Sequence, residues 1–466
     1  MAKSPGDLVR AAQALHAAGN PLEAAEALAA AIELNPDDPV LYHNLAATLG
    51  DAGRAAAAVE ALETGFKKGL DAPESLLVYA RALAGDHRYV EAAAAYERLL
   101  GRAPIDETAH RELAQLVWMR TNDRKLAFAA LDQAIANNPN AFGLFVLRAQ
   151  LHGQTEDPGG EYQLLCAAID RFGPQPILDY AASKAALACG DAKAGLLHGE
   201  RVARNAPNEE QAQAAYCAAL VASGDLNRAQ DVLDGLRARF PDNQYYIALQ
   251  TTLWRLGDDP RCDDLMDYDA FVFRARLDTP KGWPTLDAYL DDLIAALDAR
   301  HAFKAHPFFQ SVRRGSQIAS ITEADDAAMR AFQEAIEGPK RAFIGSLGQG
   351  ADPLRRRNAG DGRLVGAWSI LLPPNGYHVN HVHPEGWIST ACHLRFDAEP
   401  EDEPHAGWLK FGEPGVLTPT PLPPERFVAP ERGVLVMFPS YMWHGVVAYS
   451  RGGKRLTVAG DIVPAG

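Results

Sequence analysis

Little in this chain points to membranes, disulfides or nucleic acid. No run of 18 apolar residues occurs among its 466 residues, which excludes an ordinary transmembrane helix. The opening Met1-Ala2-Lys3-Ser4-Pro5-Gly6-Asp7 leads into an amphipathic helical pattern without an apolar signal-peptide core, so the cytoplasm is the expected setting. Cysteine is scarce. Cys166, Cys189, Cys217, Cys262 and Cys392 are scattered, odd in number and never spaced Cys-x-x-Cys. That pattern argues against a disulfide framework or a structural zinc ribbon and suits a reducing compartment. Positive charge is also short, with 45 Lys and Arg against 60 Asp and Glu and a formal net charge of −15. Phosphate contacts need clustered cations, so nucleic acid is not an expected partner. The 47% hydrophobic and 23% charged residues are those of a globular chain, long enough for two or three cores.

What the chain does have is repetition. Residues 1–256 read as helix pairs with a period close to 34. In the first unit, Leu8, Ala12, Leu15, Gly19, Ala24, Leu28, Ala31 and Pro36 run large, small, large, turn, small, large, small, proline. Tyr79-Ala80, Leu83, Ala92, Tyr96, Leu99 and Pro104 restate that pattern further on. Pro104, Pro139, Pro174, Pro207 and Pro241 follow at spacings of 35, 35, 33 and 34. Small residues let paired helices approach, large ones fill the groove, and proline stops the second helix. One unit cannot bury its own face, so stacking must supply the core. About seven units are expected, closed by a capping helix over residues 245–256. The pattern resembles the tetratricopeptide repeat, which implies an all-α solenoid whose concave surface binds a protein or peptide. The plainer alternative is a scaffold or oligomerisation array without a peptide ligand.

The periodicity fails after Gly257. Residues 257–303 read as a linker and helical flank, with a loop over 258–264 and an amphipathic helix over 286–302. Helix is expected again around 327–347. Beyond Leu364 come short apolar runs at 365–372, 388–396, 408–411, 434–438, 445–449 and 456–463, separated by Pro, Gly and Asn. Short strands at this spacing predict a β-sandwich or jelly roll, here over residues 304–466. The fold class expected is multidomain: a helical-repeat solenoid followed by an α+β double-stranded β-helix.

Five of the 14 histidines fall between His378 and His405. Any one of them alone is best read as a loop histidine on a wet surface. In Asn380-His381-Val382-His383-Pro384-Glu385, strand alternation puts His381, His383 and Glu385 on one face, provided the strand survives Pro384. Phe438-Pro439-Ser440-Tyr441-Met442-Trp443-His444 offers a third histidine after a later strand. Two histidines and a carboxylate on one face are the ligand set of open non-haem Fe(II) sites. Two overlapping sets remain open: His381, His383 and His444, or His383 with Glu385 as the carboxylate ligand and His444. Trp368, Trp387 and Trp443 read as core or pocket wall.

Three ordered segments carry a resemblance. His306-Pro-Phe-Phe-Gln-Ser-Val-Arg-Arg-Gly-Ser-Gln317, His381-Val-His-Pro-Glu-Gly-Trp-Ile-Ser389 and Gly433-Val-Leu-Val-Met-Phe-Pro-Ser-Tyr-Met-Trp-His444 resemble elements of bacterial 2-oxoglutarate/Fe(II) oxygenases that often carry tetratricopeptide repeats. Those elements are Gln-Ser-x-Arg-Gly-Gly-x-Gln, His-x-His-Pro-x-x-x-x-Ser and Gly-x-Leu-x-x-Phe-Pro-Ser-x-x-x-His. The resemblance implies Fe(II), with 2-oxoglutarate and O2 as co-substrates, and favours His381 first and His383 second. Arg455-Leu456-Thr457 resembles the Arg-x-Ser pair that holds the distal carboxylate of 2-oxoglutarate. On a strand these two share a face, so a guanidinium and a hydroxyl could both reach it. Ser389 and His393 are further co-substrate candidates, and Gln310, Arg313 and Gln317 are possible pocket residues from the flank. Arg314 stands where that family has glycine, Ser316 where it has threonine, and Cys392-His393 where it has an aromatic pair. Halogenases of this superfamily vacate the slot that His383 would fill, so hydroxylation of a protein or peptide brought by the repeats is the expected activity. The competing readings are a small-molecule hydroxylase with repeats for assembly, a non-catalytic scaffold with a degenerate oxygenase domain, and a three-histidine zinc or cupin-type enzyme.

Overall fold

A computed structural model describes residues 4–324, 326–399 and 403–465. The repeats fold as fifteen helices from Pro5–Ala17 to Gln244–Leu256, seven pairs and a last single helix. Local chemistry sets their ends. Ser4 and Asp7 form a capping box before the first helix, and Pro5, Pro21, Pro39, Pro73, Pro158 and Pro176 sit in first turns, where a missing N–H leaves no helical bond unmade. Gly19 and Gly224, both at positive φ, make the tight turns within two of the pairs. The small residues of the repeat pattern are buried: Ala12, Ala24, Ala31, Ala80 and Ala92 expose 2% or less.

Contacts divide the chain into two compact units, residues 1–148 and 149–466. The first consists of paired helices around cores such as Ala12, Ala24 and Leu28. The second contains the helices up to Leu256, the flank and all the strands.

The strands are β1 (Phe273–Arg276), β2 (Val312–Arg313), β3 (Ser316–Ile318), β4 (Gly362–Leu372), β5 (Tyr377–His381), β6 (Ile388–Ala398), β7 (Leu409–Phe411), β8 (Arg426–Val428), β9 (Val434–Pro439), β10 (His444–Val446) and β11 (Gly452–Pro464). They form two antiparallel sheets, a six-stranded one in the order β1-β9-β6-β11-β4-β3 and a five-stranded one in the order β2-β5-β10-β7-β8. The two sheets are those of a jelly roll, with Leu394, Leu435, Phe438, Leu456, Val458 and Phe411 in its core.

Several local expectations change. The segment 258–264 is not all loop, since Arg261–Leu265 is a short helix whose Cys262 and Leu265 are buried. Phe273–Arg276, inside the expected helical flank, is a strand because the free edge of β9 offers it four residues of pairing. The helix expected over 327–347 breaks into Ala327–Arg330, Phe332–Ala335 and Glu337–Leu347. Pro339 explains the last break: without an N–H it fits only a first turn, so the helix restarts two residues before it. Finally, β5 ends at His381, so the strand does not reach His383 or Glu385.

Candidate metal and co-substrate site

Register brings the histidines together. His381 closes β5, His444 opens β10, and the two are direct cross-strand partners. His383 lies beyond the strand in a turn, where its amide donates to Ser440 O (3.1 Å) and Gly386 donates back to its carbonyl (3.1 Å). Ligand atoms of His381, His383 and His444 all lie within 4.8 Å of one another. Their ring centroids are 4.2, 5.2 and 5.2 Å apart.

Each ring has the same nitrogen committed. Nδ1 of His381 donates to Val379 O (2.8 Å), Nδ1 of His444 to Met442 O (2.9 Å), and Nδ1 of His383 to Asp461 Oδ1 (2.5 Å). A carbonyl only accepts, so Nδ1 of His381 and His444 must carry the proton, leaving the Nε2 lone pair for a metal. Burial, with the neighbouring His383, pushes His381 down to about 3, and burial with His381 and His383 holds His444 well below the usual histidine range. Both imidazoles are therefore neutral at ordinary pH.

The cavity above them measures about 590 Å³. β11 supplies one wall: Arg455, Thr457, Ala459 and Asp461 alternate into it, while Leu456 and Val458 face the core. Arg455 is only 2% exposed and makes no ion pair with a carboxylate among the described residues. Its Nη2 donates to Nδ1 of His393 (3.1 Å), and Nε of Arg455 and Oγ1 of Thr457 are buried without partners. Burial pulls Arg455 down to about 10. A buried cation with unused donors beside an unused hydroxyl is costly unless an anion completes it.

The remaining candidates separate by position. Glu385 is exposed on the turn at the cavity's edge and lies outside the three-histidine cluster. Ser389 is fully buried beneath the cavity, with Oγ 3.0 Å from Asp461 Oδ1 and 2.9 Å from Ser440 Oγ. His393 does not line the cavity but steadies Arg455 from behind. Gln310 lines it, whereas Arg313 donates to Gln310 O and Val312 O, and Gln317 Nε2 to Gln310 Oε1 (3.1 Å). Arg313 and Gln317 thus brace the lip. Trp368 lines the cavity, and Trp387 and Trp443 are buried.

Two side chains escaped the sequence reading. His378 lines the cavity with Nδ1 3.0 Å from Ser311 Oγ, and burial holds it well below the usual range. Asp461 is the other. Its signal was present: a single acid within the apolar run 456–463.

Residues 366–461, which include His381, His383, His444, Arg455 and Asp461, match the family described as "Putative 2OG-Fe(II) oxygenase". Residues 5–48 match a tetratricopeptide repeat. No curated protein matches the chain. Among solved structures, a tetratricopeptide repeat protein from Parabacteroides merdae is 16% identical over 51% of this chain and 93% of its own, with a TM-score of 0.36. A Pseudomonas putida prolyl-4-hydroxylase is 19% identical over 44% and 98%, with a TM-score of 0.28. Yeast Tom70 is 13% identical over 57% and 68%, with a TM-score of 0.32. These three structural likenesses are weak.

Proposed function

We propose that this protein is a 2-oxoglutarate- and Fe(II)-dependent dioxygenase that hydroxylates a protein or peptide brought to it by the repeat array. In this reading residues 1–256 are the array, 257–303 the flank and 304–466 the catalytic domain. The observation that carries it is the pairing of three converging imidazoles with a buried, acid-free arginine across one cavity. The donor set fits Fe(II): three imidazole nitrogens from one side leave the other side open. The orphaned Arg455 Nε and Thr457 Oγ1 fit the distal carboxylate of 2-oxoglutarate.

His381, His383 and His444 would hold the metal, and Glu385 stays outside that set. Arg455 and Thr457 would fix the co-substrate, with His393 holding the guanidinium in place. Bound Fe(II) with 2-oxoglutarate and O2 supplies the chemistry that converts a C–H to C–OH, releasing succinate and CO2. The apolar walls, Ile370, Val446 and Phe438, exclude water from the reacting centre. Exposed Phe309, Pro384 and Glu385 at the cavity's edge suit a chain-like substrate better than a small enclosed one.

The test is an anaerobic titration with Fe(II) and 2-oxoglutarate, read as the visible metal-to-ligand charge-transfer band. The band should need both additions and vanish in His444→Ala. Arg455→Gln, which removes a charge-assisted contact, should need roughly 10- to 100-fold more 2-oxoglutarate. Folded wild type without a band would overturn the assignment.

A further inference from the structure

The usual open iron site carries one carboxylate among its ligands, and three imidazoles leave that negative charge unaccounted for. The fold places it one atom layer out. Asp461 and Glu385 are the two acids lining the cavity among the described residues, and Glu385 is exposed. Asp461 is only 20% exposed and touches one ligand, His383, through Nδ1. The other two histidines rest on neutral backbone carbonyls.

Asp461 is held on purpose-built geometry. It pairs across the sheet with Ser389, whose hydroxyl donates to the same carboxylate oxygen and contacts Ser440. The amide of His383 donates to the carbonyl of that same Ser440, so the turn and the carboxylate are tied to one point. The pairing of β11 with β6 runs without a break through Asp461, and the one shift against β4 comes just after it, with the extra residue, Val365, on β4.

We propose that Asp461 is a positioning residue that replaces the missing carboxylate ligand at one remove. It holds the His383 proton on Nδ1, turns Nε2 toward the metal, and offsets part of the metal's charge through the imidazole. Such outer carboxylates raise ligand basicity and are worth roughly 10- to 100-fold in metal affinity. This rests on the metal-site reading above.

The experiment uses the full chain and Co(II) as the probe, with affinity from a competition titration and geometry from the visible Co(II) spectrum. Asp461→Asn should keep the circular dichroism of the wild type, bind Co(II) roughly 10- to 100-fold more weakly and shift its visible bands. The decisive arm is His383→Asp, which moves the carboxylate into the ligand set and makes Asp461 a like-charged neighbour. In that background Asp461→Asn should strengthen Co(II) binding, reversing sign. Equal weakening in both backgrounds would show a merely structural role and overturn the proposal. If His383→Asp does not fold, unchanged affinity and spectrum in Asp461→Asn alone would overturn it as well. A wild type that takes up no Co(II) at all would overturn the metal-site reading itself, and this inference with it.

Discussion

At the scale of single residues, burial decides what the ionisable groups do. His301 caps the helix Leu286–Arg300, with Nδ1 2.6 Å from Ser316 Oγ and Nε2 3.0 Å from Ser369 Oγ. Burial pulls its pKa down to about 4, so the folded chain keeps it neutral. Above pH 6.5 the folded and unfolded states both hold it neutral, and its contribution is complete. As pH falls from 6.5 toward 4, the unfolded state takes a proton that the fold refuses, and stability drops by about 1.4 kcal/mol per pH unit. Urea unfolding at pH 7 and pH 5 should therefore show a smaller acid loss for His301→Gln than for wild type, by about 1–2 kcal/mol. An identical loss would mean that His301 is already protonated in the fold. Single residues also bear on one place where the chain differs from the oxygenases it resembles. Arg314 adopts φ 54°, a left-handed conformation that glycine takes without strain, and its guanidinium meets Glu156 (3.2 Å).

At the scale of elements, β11 organises the site. One face carries Arg455, Thr457, Ala459 and Asp461 to the cavity, so a strand shift of one residue would turn all four away. Gly460 packs tightly against β4: a Cβ there would lie 2.6 Å from Gly366 O and 3.0 Å from a Leu364 methyl. Gly460→Ala should cost about 1–3 kcal/mol of stability by overpacking. It should also weaken Co(II) uptake, because Asp461 is the next residue. Full metal affinity in a destabilised Gly460→Ala protein would separate the strand's packing from its role in the site. The strands from residue 362 onward were largely legible, since half-buried strands announce themselves as short apolar runs between turn residues. β1, β2, β3 and β8 were not. They have four, two, three and three residues, too few for a periodicity, and exist because a neighbouring edge offers hydrogen bonds.

At the scale of the whole molecule, the repeat pattern and the packing draw different lines. The period runs to residue 256, while contacts place the helices after Arg148 in one unit with the sheets. Val382 and Trp443, which between them adjoin all three clustered histidines, pack in one core with Leu220, Leu233, Leu249 and Leu253. Trp443 Nε1 donates to Thr252 Oγ1 (3.0 Å), and the amide of Gln244 donates to Pro384 O (2.9 Å). A fragment of residues 149–466 should therefore stay monodisperse and bind Co(II) like the full chain. A fragment of residues 257–466 would expose Trp443 and Val382 and should aggregate. A well-behaved, metal-binding 257–466 fragment would show that these helices do not support the site.

The repeat period, the order of the three motifs, and the identity of the clustered histidines and of Arg455 were all readable in the sequence, because each depends on local spacing or on a short contiguous pattern. Only the tertiary structure could show that His383 leaves its strand, that Glu385 faces solvent, and that the carboxylate beside His383 comes from Asp461. Those two residues lie 78 positions apart. Their meeting depends on the register of β6 against β11, long-range hydrogen bonding that no local pattern encodes.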